Sequence, residues 1–130
     1  MHEEEKSKVI YPELSYTIVG ILFGVYNELG AGYKEKYYEK AVIKGFKDKN
    51  IIFKNQVPYK IKFQGEVIGI NYLDFLVEDK IILELKKGNY FAKQNIDQVN
   101  AYLKVTGLKL AILAQFTSNG VKFLRLLNIK

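Results

Sequence analysis

The sequence predicts an α/β fold in which a mixed β-sheet is covered by helices on both faces. Three observations lead to this prediction. Two amphipathic helical patterns come first, a run of strand patterns follows, and a third helical pattern connects that run to two further strands. The apolar run Ala111-Ile112-Leu113-Ala114 is typical of a central strand that is buried on both sides. The predicted element order is therefore ααβββαββ.

The first helix is predicted to begin at Pro12 and Glu13, because proline is well tolerated in the first turn of a helix. Gly30 and Gly32 end it. The second helix is predicted at about residues 34–49. In both helices apolar residues recur at three- and four-residue steps, which predicts one buried face for each helix: Leu14, Ile18, Ile21, Leu22, Val25 and Leu29, then Tyr38, Ala41, Val42 and Phe46.

The helical spacing ends at Asn50, and segments rich in β-branched and aromatic residues follow. Residues 51–53 and 58–63 are predicted as strand material that counts as one strand of the order, and two strands follow at 67–77 and 81–86. Turns are predicted at Gln64-Gly65-Glu66 and Glu78-Asp79, and a break at Lys87-Gly88-Asn89.

A third helix is predicted at residues 91–106, where Ala92, Ile96, Val99 and Leu103 form one apolar stripe that Gly107 closes. The last two strands are predicted at residues 108–116 and 121–127, on either side of the turn Ser118-Asn119-Gly120.

Length and composition favour a single domain over residues 1–130, with residues 1–10 as a flexible tail. Of the 130 residues, 48% are hydrophobic and 26% are charged, which is the balance of a globular protein with a core. Only two prolines and ten glycines are present, so low-complexity and disordered classes are excluded. No signal-peptide pattern and no apolar stretch of about 18 residues is present, so we expect a cytoplasmic protein that does not span a membrane.

The content of cysteine and histidine restricts the chemistry. There is no cysteine, which excludes disulfides and thiolate metal sites. His2, the only histidine, lies in the polar N-terminal segment, so a Ser–His–Asp triad and a His-rich zinc site are also excluded. A hydrolytic centre in this chain must rely on carboxylates and lysine.

The net charge of +6, from 20 Lys and Arg against 14 Asp and Glu, suits a polyanionic partner. Nucleic acid is the first candidate and an acidic membrane surface the second. Arg125 is the only arginine. Because lysine binds phosphate as a point charge and lacks the bidentate fork that reads guanine, the composition favours contact with the nucleic-acid backbone.

Asp74, Glu84 and Lys86 interrupt two neighbouring apolar strands. Side chains alternate along a strand, so Glu84 and Lys86 share one face of the sheet. If Val77 pairs with Ile81 around a three-residue loop, Asp74 lies opposite Glu84, with Cβ atoms about 5 Å apart. A two-residue loop would separate the two carboxylates.

Such a carboxylate pair would suit Mg²⁺ or Mn²⁺, which prefer oxygen ligands and can activate water without histidine. Lys86 would then stabilise a developing negative charge or help to position the attacking water. The alternative is an ordinary solvated strand face, since Glu-x-Lys is a common pattern.

Three further polar residues have two interpretations each. Glu35 begins the second helix, where it either complements the helix N-terminus or supplies a third carboxylate. Gln98 and Tyr102 share one face of the third helix, beside its apolar stripe. They are either partly packed side chains or hydrogen-bonding groups for a phosphate, a metal-bound water or the active-site lysine.

Taken in order, these residues resemble the GxxExxY family, which lies within the PD-(D/E)xK nuclease superfamily. The motif that names the family is present as Gly32, Glu35 and Tyr38. The resemblance covers about residues 12–127, and the other matching segments are Gln56-Val57-Pro58, Asp74, Glu84-Leu85-Lys86, Gln98-Val99-Asn100-Ala101-Tyr102-Leu103 and Thr106-Gly107-Leu108. Ala31 and Val99 stand where proline and leucine would be expected.

The resemblance implies a restriction-endonuclease-like α/β/α core. It also implies roles by similarity to RecB-type nucleases. Asp74, Glu84, the Leu85 carbonyl and Glu35 would bind the metal, Mg²⁺ or Mn²⁺, and Lys86 would be the catalytic lysine. Gln98 and Tyr102 would correspond to the helix Gln-xxx-Tyr pair.

We therefore expect a metal-dependent nuclease that acts on DNA, or secondarily on RNA. Two alternatives remain open from the sequence. One is a nucleic-acid-binding module that has kept the fold without catalysis. The other is an accessory subunit, because a chain this short leaves little room for a specificity domain, which a homodimer or a protein partner would then supply.

Overall fold

A computed structural model describes residues 10–129 and confirms the predicted element order. The helices are α1 (Pro12–Leu29), α2 (Glu35–Asp48) and α3 (Lys93–Thr106), and the strands are β1 (Phe53–Phe63), β2 (Glu66–Val77), β3 (Ile81–Lys87), β4 (Leu110–Thr117) and β5 (Gly120–Leu127).

The five strands form one mixed sheet in the order β1-β2-β3-β4-β5. Neighbouring strands are antiparallel except for β3 and β4, which are parallel and are connected through α3. Every residue of β4 is buried. This confirms the prediction of a central strand, which its apolar run at residues 111–114 had indicated.

Helices cover both faces of the sheet, as predicted. On one face α1 and α2 pack against the larger core cluster, which includes Ile18, Phe46, Phe75 and Leu83. On the other face α3 packs against a smaller cluster that includes Leu73. The architecture is consistent with a restriction-endonuclease-like core.

Element boundaries lie within about two residues of the predicted ones, and two of the differences have a clear structural cause. The two predicted segments at residues 51–53 and 58–63 form one strand, because β1 pairs with β2 from Phe53 to Phe63. Helix α3 begins at Lys93 rather than at residue 91, since Ala92 has an extended backbone and serves as the N-cap.

The expected tail lies almost wholly outside the described residues. Residues 1–9 are not described, and Ile10 is partly buried against the larger core cluster.

Candidate active site

Strands β2 and β3 bring two carboxylates side by side. Val77 pairs with Ile81 around a three-residue loop, and the ladder ends at Phe75 and Leu83. At the next position along both strands, carboxylate side chains accept the backbone N–H groups in place of the carbonyls of the ladder. The Asp74 N–H donates to Glu84 Oε1 at 2.7 Å, and the N–H of the following residue in β3, Leu85, donates to Asp74 Oδ2 at 2.8 Å. The three-residue loop therefore has the consequence that the sequence predicted, with Asp74 beside Glu84.

The two carboxylates lie at the point where side chains of β1 and β2 switch from one face of the sheet to the other. Phe75 packs under α1 and α2, whereas Leu73, two residues earlier, packs under α3. Residues two apart in a regular strand share a face, so the alternation is interrupted at Asp74. Opposite Asp74 in β1, Gln56 has a left-handed backbone with φ of 54°. The irregularity leaves N–H groups without ladder partners, and the two carboxylates accept from them.

Burial makes the negatively charged form of these two carboxyl groups unfavourable. Glu84 is 2% exposed. Removal from water and the negative charge of Asp74 raise the pKa of Glu84 to about 8. Burial also raises the pKa of Asp74, with a further contribution from the charge of Glu39 and an opposing one from the Leu85 N–H. A proton or a cation between the two groups would relieve their repulsion.

Lys86 lies half-buried on the same face of β3 as Glu84, and its positive charge lowers the pKa of both carboxyls. Gln115 is its partner in the parallel register with β4 and is 2% exposed. Gln115 Nε2 donates to the Gly88 carbonyl at 3.0 Å, while its buried Oε1 has no hydrogen-bond partner among the described residues. The Gln115 Oε1 atom is therefore a hydrogen-bond acceptor without a donor among the described residues, on the residue that pairs with Lys86.

The N-terminal part of α2 supplies two further acids. Glu35 is exposed, and its Oε2 accepts a hydrogen bond from the Lys87 N–H at 3.2 Å. Glu39, one helical turn later, is linked to Asp74 through one amide: Gln56 Nε2 donates to Glu39 Oε2 at 2.8 Å and to Asp74 Oδ1 at 3.3 Å. Of the acids on this helix, the sequence pattern had indicated only Glu35.

Glu39, Gln56 and Gln115 are thus the polar neighbours that sequence reasoning missed. Two signals were available: Glu39 lies four residues after Glu35 and so shares its helix face, and Gln56 belongs to the Gln56-Val57-Pro58 segment. Gln115 had no signal beyond a polar residue in an otherwise buried strand.

Tyr102 lies on α3 next to the acidic pair and is more buried than predicted, with 1% exposure. Its hydroxyl donates to the Tyr72 carbonyl at 3.5 Å. Burial, followed by the charges of Glu84 and Asp74, raises the pKa of Tyr102 to about 12, so the phenol stays protonated. Gln98 is half-buried and lines a cleft together with Tyr102.

The donor set of the pair fits a hard divalent cation. The buried Glu84 and the half-buried Asp74 offer carboxylate oxygens, which are the ligand type that Mg²⁺ and Mn²⁺ prefer. Across residues 10–129, however, no group of three or more Asp, Glu or His side chains is arranged to hold a metal ion. Of the three expected carboxylates, hydrogen bonds connect Asp74 and Glu84, while Glu35 accepts from the Lys87 N–H.

Comparison with known proteins gives a family and a fold. The family model of the PD-(D/E)XK nuclease superfamily matches residues 12–125. The chain is similar to the crystal structure of SSO0001, with 12% identity and a TM-score of 0.50 over 90% of this chain and 78% of that one. At this identity the likeness concerns the fold alone. No curated protein matches the chain, and no helix within residues 10–129 has the length and apolar character needed to cross a membrane.

Proposed function

The chain belongs to the PD-(D/E)XK nuclease superfamily, and we propose that it hydrolyses phosphodiester bonds of DNA with a divalent cation held at Asp74 and Glu84. The observation that carries this proposal is the adjacent pair itself, in which Glu84 is buried and Asp74 is half-buried. Each carboxylate accepts one backbone N–H, and two carboxylates so close repel each other unless a cation or a proton is present. A divalent cation bound between the two carboxylates would relieve this repulsion.

The cation would be Mg²⁺ or Mn²⁺. Its ligands would be Asp74, Glu84 and the Leu85 carbonyl, with Glu35 as the helix-borne acid that the family resemblance implies. A divalent cation bound there would polarise a phosphoryl oxygen and lower the pKa of the attacking water.

The remaining chemistry belongs to the side chains around the pair. Lys86 would stabilise the negative charge that develops on the phosphate, because it lies on the same face of β3 as Glu84. Gln98 would hydrogen-bond a substrate phosphate or the attacking water. Tyr102, which stays protonated, would act as a donor beside the pair rather than as a base.

Several finer assignments accompany this proposal. We assign the chain to the GxxExxY family on Gly32, Glu35 and Tyr38, and we treat residues 1–130 as one cytoplasmic domain. The net charge of +6 favours a nucleic-acid substrate, with DNA first and RNA second. A homodimer or a protein partner would supply sequence specificity.

A nucleic-acid-binding module or accessory subunit without catalysis is the second candidate. One observation favours it: within residues 10–129 no third Asp, Glu or His side chain is arranged with Asp74 and Glu84 so that the group could hold a metal ion. Such a module would bind nucleic acid as well or better after Glu84→Gln, because it needs no cation at Glu84 and because, above the pKa of about 8, the substitution removes a negative charge near the phosphates.

Cleavage of labelled DNA separates the two candidates. Single-stranded and duplex DNA, with RNA in parallel, are incubated with Mg²⁺ or Mn²⁺ and each protein variant. We expect wild-type protein to cut, and Glu84→Gln and Lys86→Ala to be slower by about 100-fold or more. Lys104→Ala, which removes an exposed lysine of α3 outside the site, serves as the matched control and is expected to cut normally. Equal cleavage by wild-type protein and Glu84→Gln would sink the nuclease proposal.

A further inference from the structure

An open cleft of about 610 Å³ lies between α3 and the β1–β2 hairpin, next to the acidic pair. Its volume is in the range of small-molecule sites. It is lined by Tyr59, Ile61, Asn71, Gln94, Asn95, Asp97, Gln98, Ala101 and Tyr102.

The cleft and the acidic pair share one wall. Tyr102 lines the cleft, and its hydroxyl bonds to the carbonyl of Tyr72, two residues before Asp74 in β2. Asn71, the neighbour of Tyr72, also lines the cleft. A ligand group in the cleft would therefore lie beside whatever is bound at the carboxylates.

The lining chemistry is neutral and amide-rich. Four of the lining residues are Asn71, Gln94, Asn95 and Gln98, and none of their side-chain amides hydrogen-bonds to another residue within 10–129. No lysine or arginine lines the cleft, and its one acid, Asp97, is paired with Lys93 at 2.8 Å. The cleft thus lacks the cations of a phosphate site.

An amide presents a donor and an acceptor side by side, which is the pattern that base edges match. Aromatic rings complete the match, because bases stack on them. Tyr59 is half-buried in the cleft wall and contacts the Tyr102 ring edge-on, with 5.0 Å between centroids. Lys60 and Lys62 are exposed and alternate with the cleft residues Tyr59 and Ile61 along β1, so they project from the opposite face of the strand and leave the cleft itself neutral.

We propose that this cleft binds one unpaired nucleobase of the substrate strand, adjacent to the phosphodiester at Asp74 and Glu84. The proposal rests on the proposed nuclease function and narrows its substrate class. A base enters a side cleft and offers its hydrogen-bonding edge only when it is outside a duplex. The preferred substrate is therefore single-stranded or locally opened nucleic acid.

Binding without cleavage tests this directly. Fluorescence anisotropy in EDTA compares three labelled ligands of about 12 nucleotides: single-stranded DNA, the same backbone with abasic residues, and the duplex. We expect wild-type protein to bind the single strand about tenfold more tightly than the abasic strand, from one stacked and hydrogen-bonded base, and the duplex to bind more weakly than the single strand.

Substitution of the cleft amides tests whether they cause the preference for base-containing strands. Asn95→Ala and Asn71→Ala are expected to reduce the preference for bases several-fold while leaving abasic binding unchanged. Asn100→Ala changes an exposed asparagine of the same helix that does not line the cleft, so it controls for helix propensity and should behave as wild type. A free nucleoside monophosphate should compete only weakly. Efficient displacement of the strand by the free nucleotide would contradict binding of a strand base.

The proposal is overturned if wild-type protein binds abasic and base-containing strands equally, if it binds neither, or if Asn95→Ala weakens both to the same extent. The nuclease proposal fails separately. Metal-dependent cleavage of base-containing and abasic strands at equal rates would support the nuclease proposal and overturn the proposal that the cleft binds a base. Base-dependent binding without cleavage would support base binding in the cleft and overturn the nuclease proposal.

Discussion

Glu84 determines how the charge of this site depends on pH. Its pKa is raised from about 4.5 to about 8, first by burial and then by the charge of Asp74. The folded protein therefore binds more protons than the unfolded chain between these two pH values, and its stability falls as pH rises through that window. Lys86 opposes this effect only in part.

We expect the melting temperature of the metal-free protein to fall by about 5 °C or more between pH 5 and pH 8.5. In Glu84→Gln the fall should be smaller, and the variant should be more stable than wild type at pH 8.5, because it keeps an acceptor for the Asp74 N–H without the charge. Thermal unfolding in EDTA measures both. A wild-type melting temperature that rises across this window would contradict the assigned environment of Glu84.

Gln56 combines backbone strain with a specific contact. Its φ of 54° is unfavourable for a residue with a side chain, and its amide joins Glu39 to Asp74. A pair of substitutions separates the two properties. Both Gln56→Ala and Gln56→Gly remove the amide, but only glycine relieves the left-handed backbone.

We expect Gln56→Gly to be more stable than Gln56→Ala by about 1 kcal/mol, measured by urea unfolding. Both variants should bind Mn²⁺ more weakly than wild type, because Asp74 loses a partner that orients it. Equal stabilities would show that the strain at Gln56 is absent, and unchanged Mn²⁺ affinity would remove its role in orienting Asp74.

At the scale of elements, the packing of α1 on α2 places the acids of α2 at the sheet. A Cβ added at Gly45 in α2 would lie 2.5 Å from the Ile21 side chain of α1, whereas one added at Gly24 in α1 would meet nothing within 4 Å. Tyr38 fixes the other end of α2. Its ring stacks on Phe116 at 4.1 Å, and its hydroxyl donates to the Gly30 carbonyl at 2.6 Å.

Gly45→Ala is expected to destabilise the protein by about 1–3 kcal/mol, because the two helices must separate or Ile21 must shift. Gly24→Ala is the matched control, and it should stabilise by up to about 1 kcal/mol through helix propensity. Urea unfolding of both variants checks this. A stabilising Gly45→Ala would mean that the helices are farther apart than the structure places them.

The elements themselves were predictable from the sequence because each depends on local periodicity and on glycine or proline at its ends. The adjacency of Asp74 and Glu84 was also predictable, since the length of one loop sets the register of β2 on β3. The change of face at Gln56 and Asp74 was not, because it depends on side chains that accept backbone N–H groups across strands. Likewise the contact between Glu39 and Gln56 depends on where α2 crosses β1, which no local pattern encodes.

At the scale of the whole molecule, the sheet divides the protein into a structural face and a candidate active face. The larger core cluster lies under α1 and α2, while the buried carboxylate, Lys86 and the amide-lined cleft lie on the side of α3. The whole chain has a net charge of +6, whereas the side chains of the candidate site include two acids. This arrangement would attract a polyanion and would need a cation at the point of contact.

Asp74 and Glu84 are proposed to form a divalent-cation site, and isothermal titration with Mn²⁺ and Mg²⁺ measures binding at that site. For the wild-type protein near pH 8 we expect saturable binding, with at least one cation per chain. Asp74→Asn and Glu84→Gln, which keep the hydrogen-bond acceptors and lose the charge, should each abolish that binding, whereas Asp48→Asn at the exposed end of α2 should not. Binding that survives both substitutions, or no saturable binding to the wild-type protein, would contradict the account.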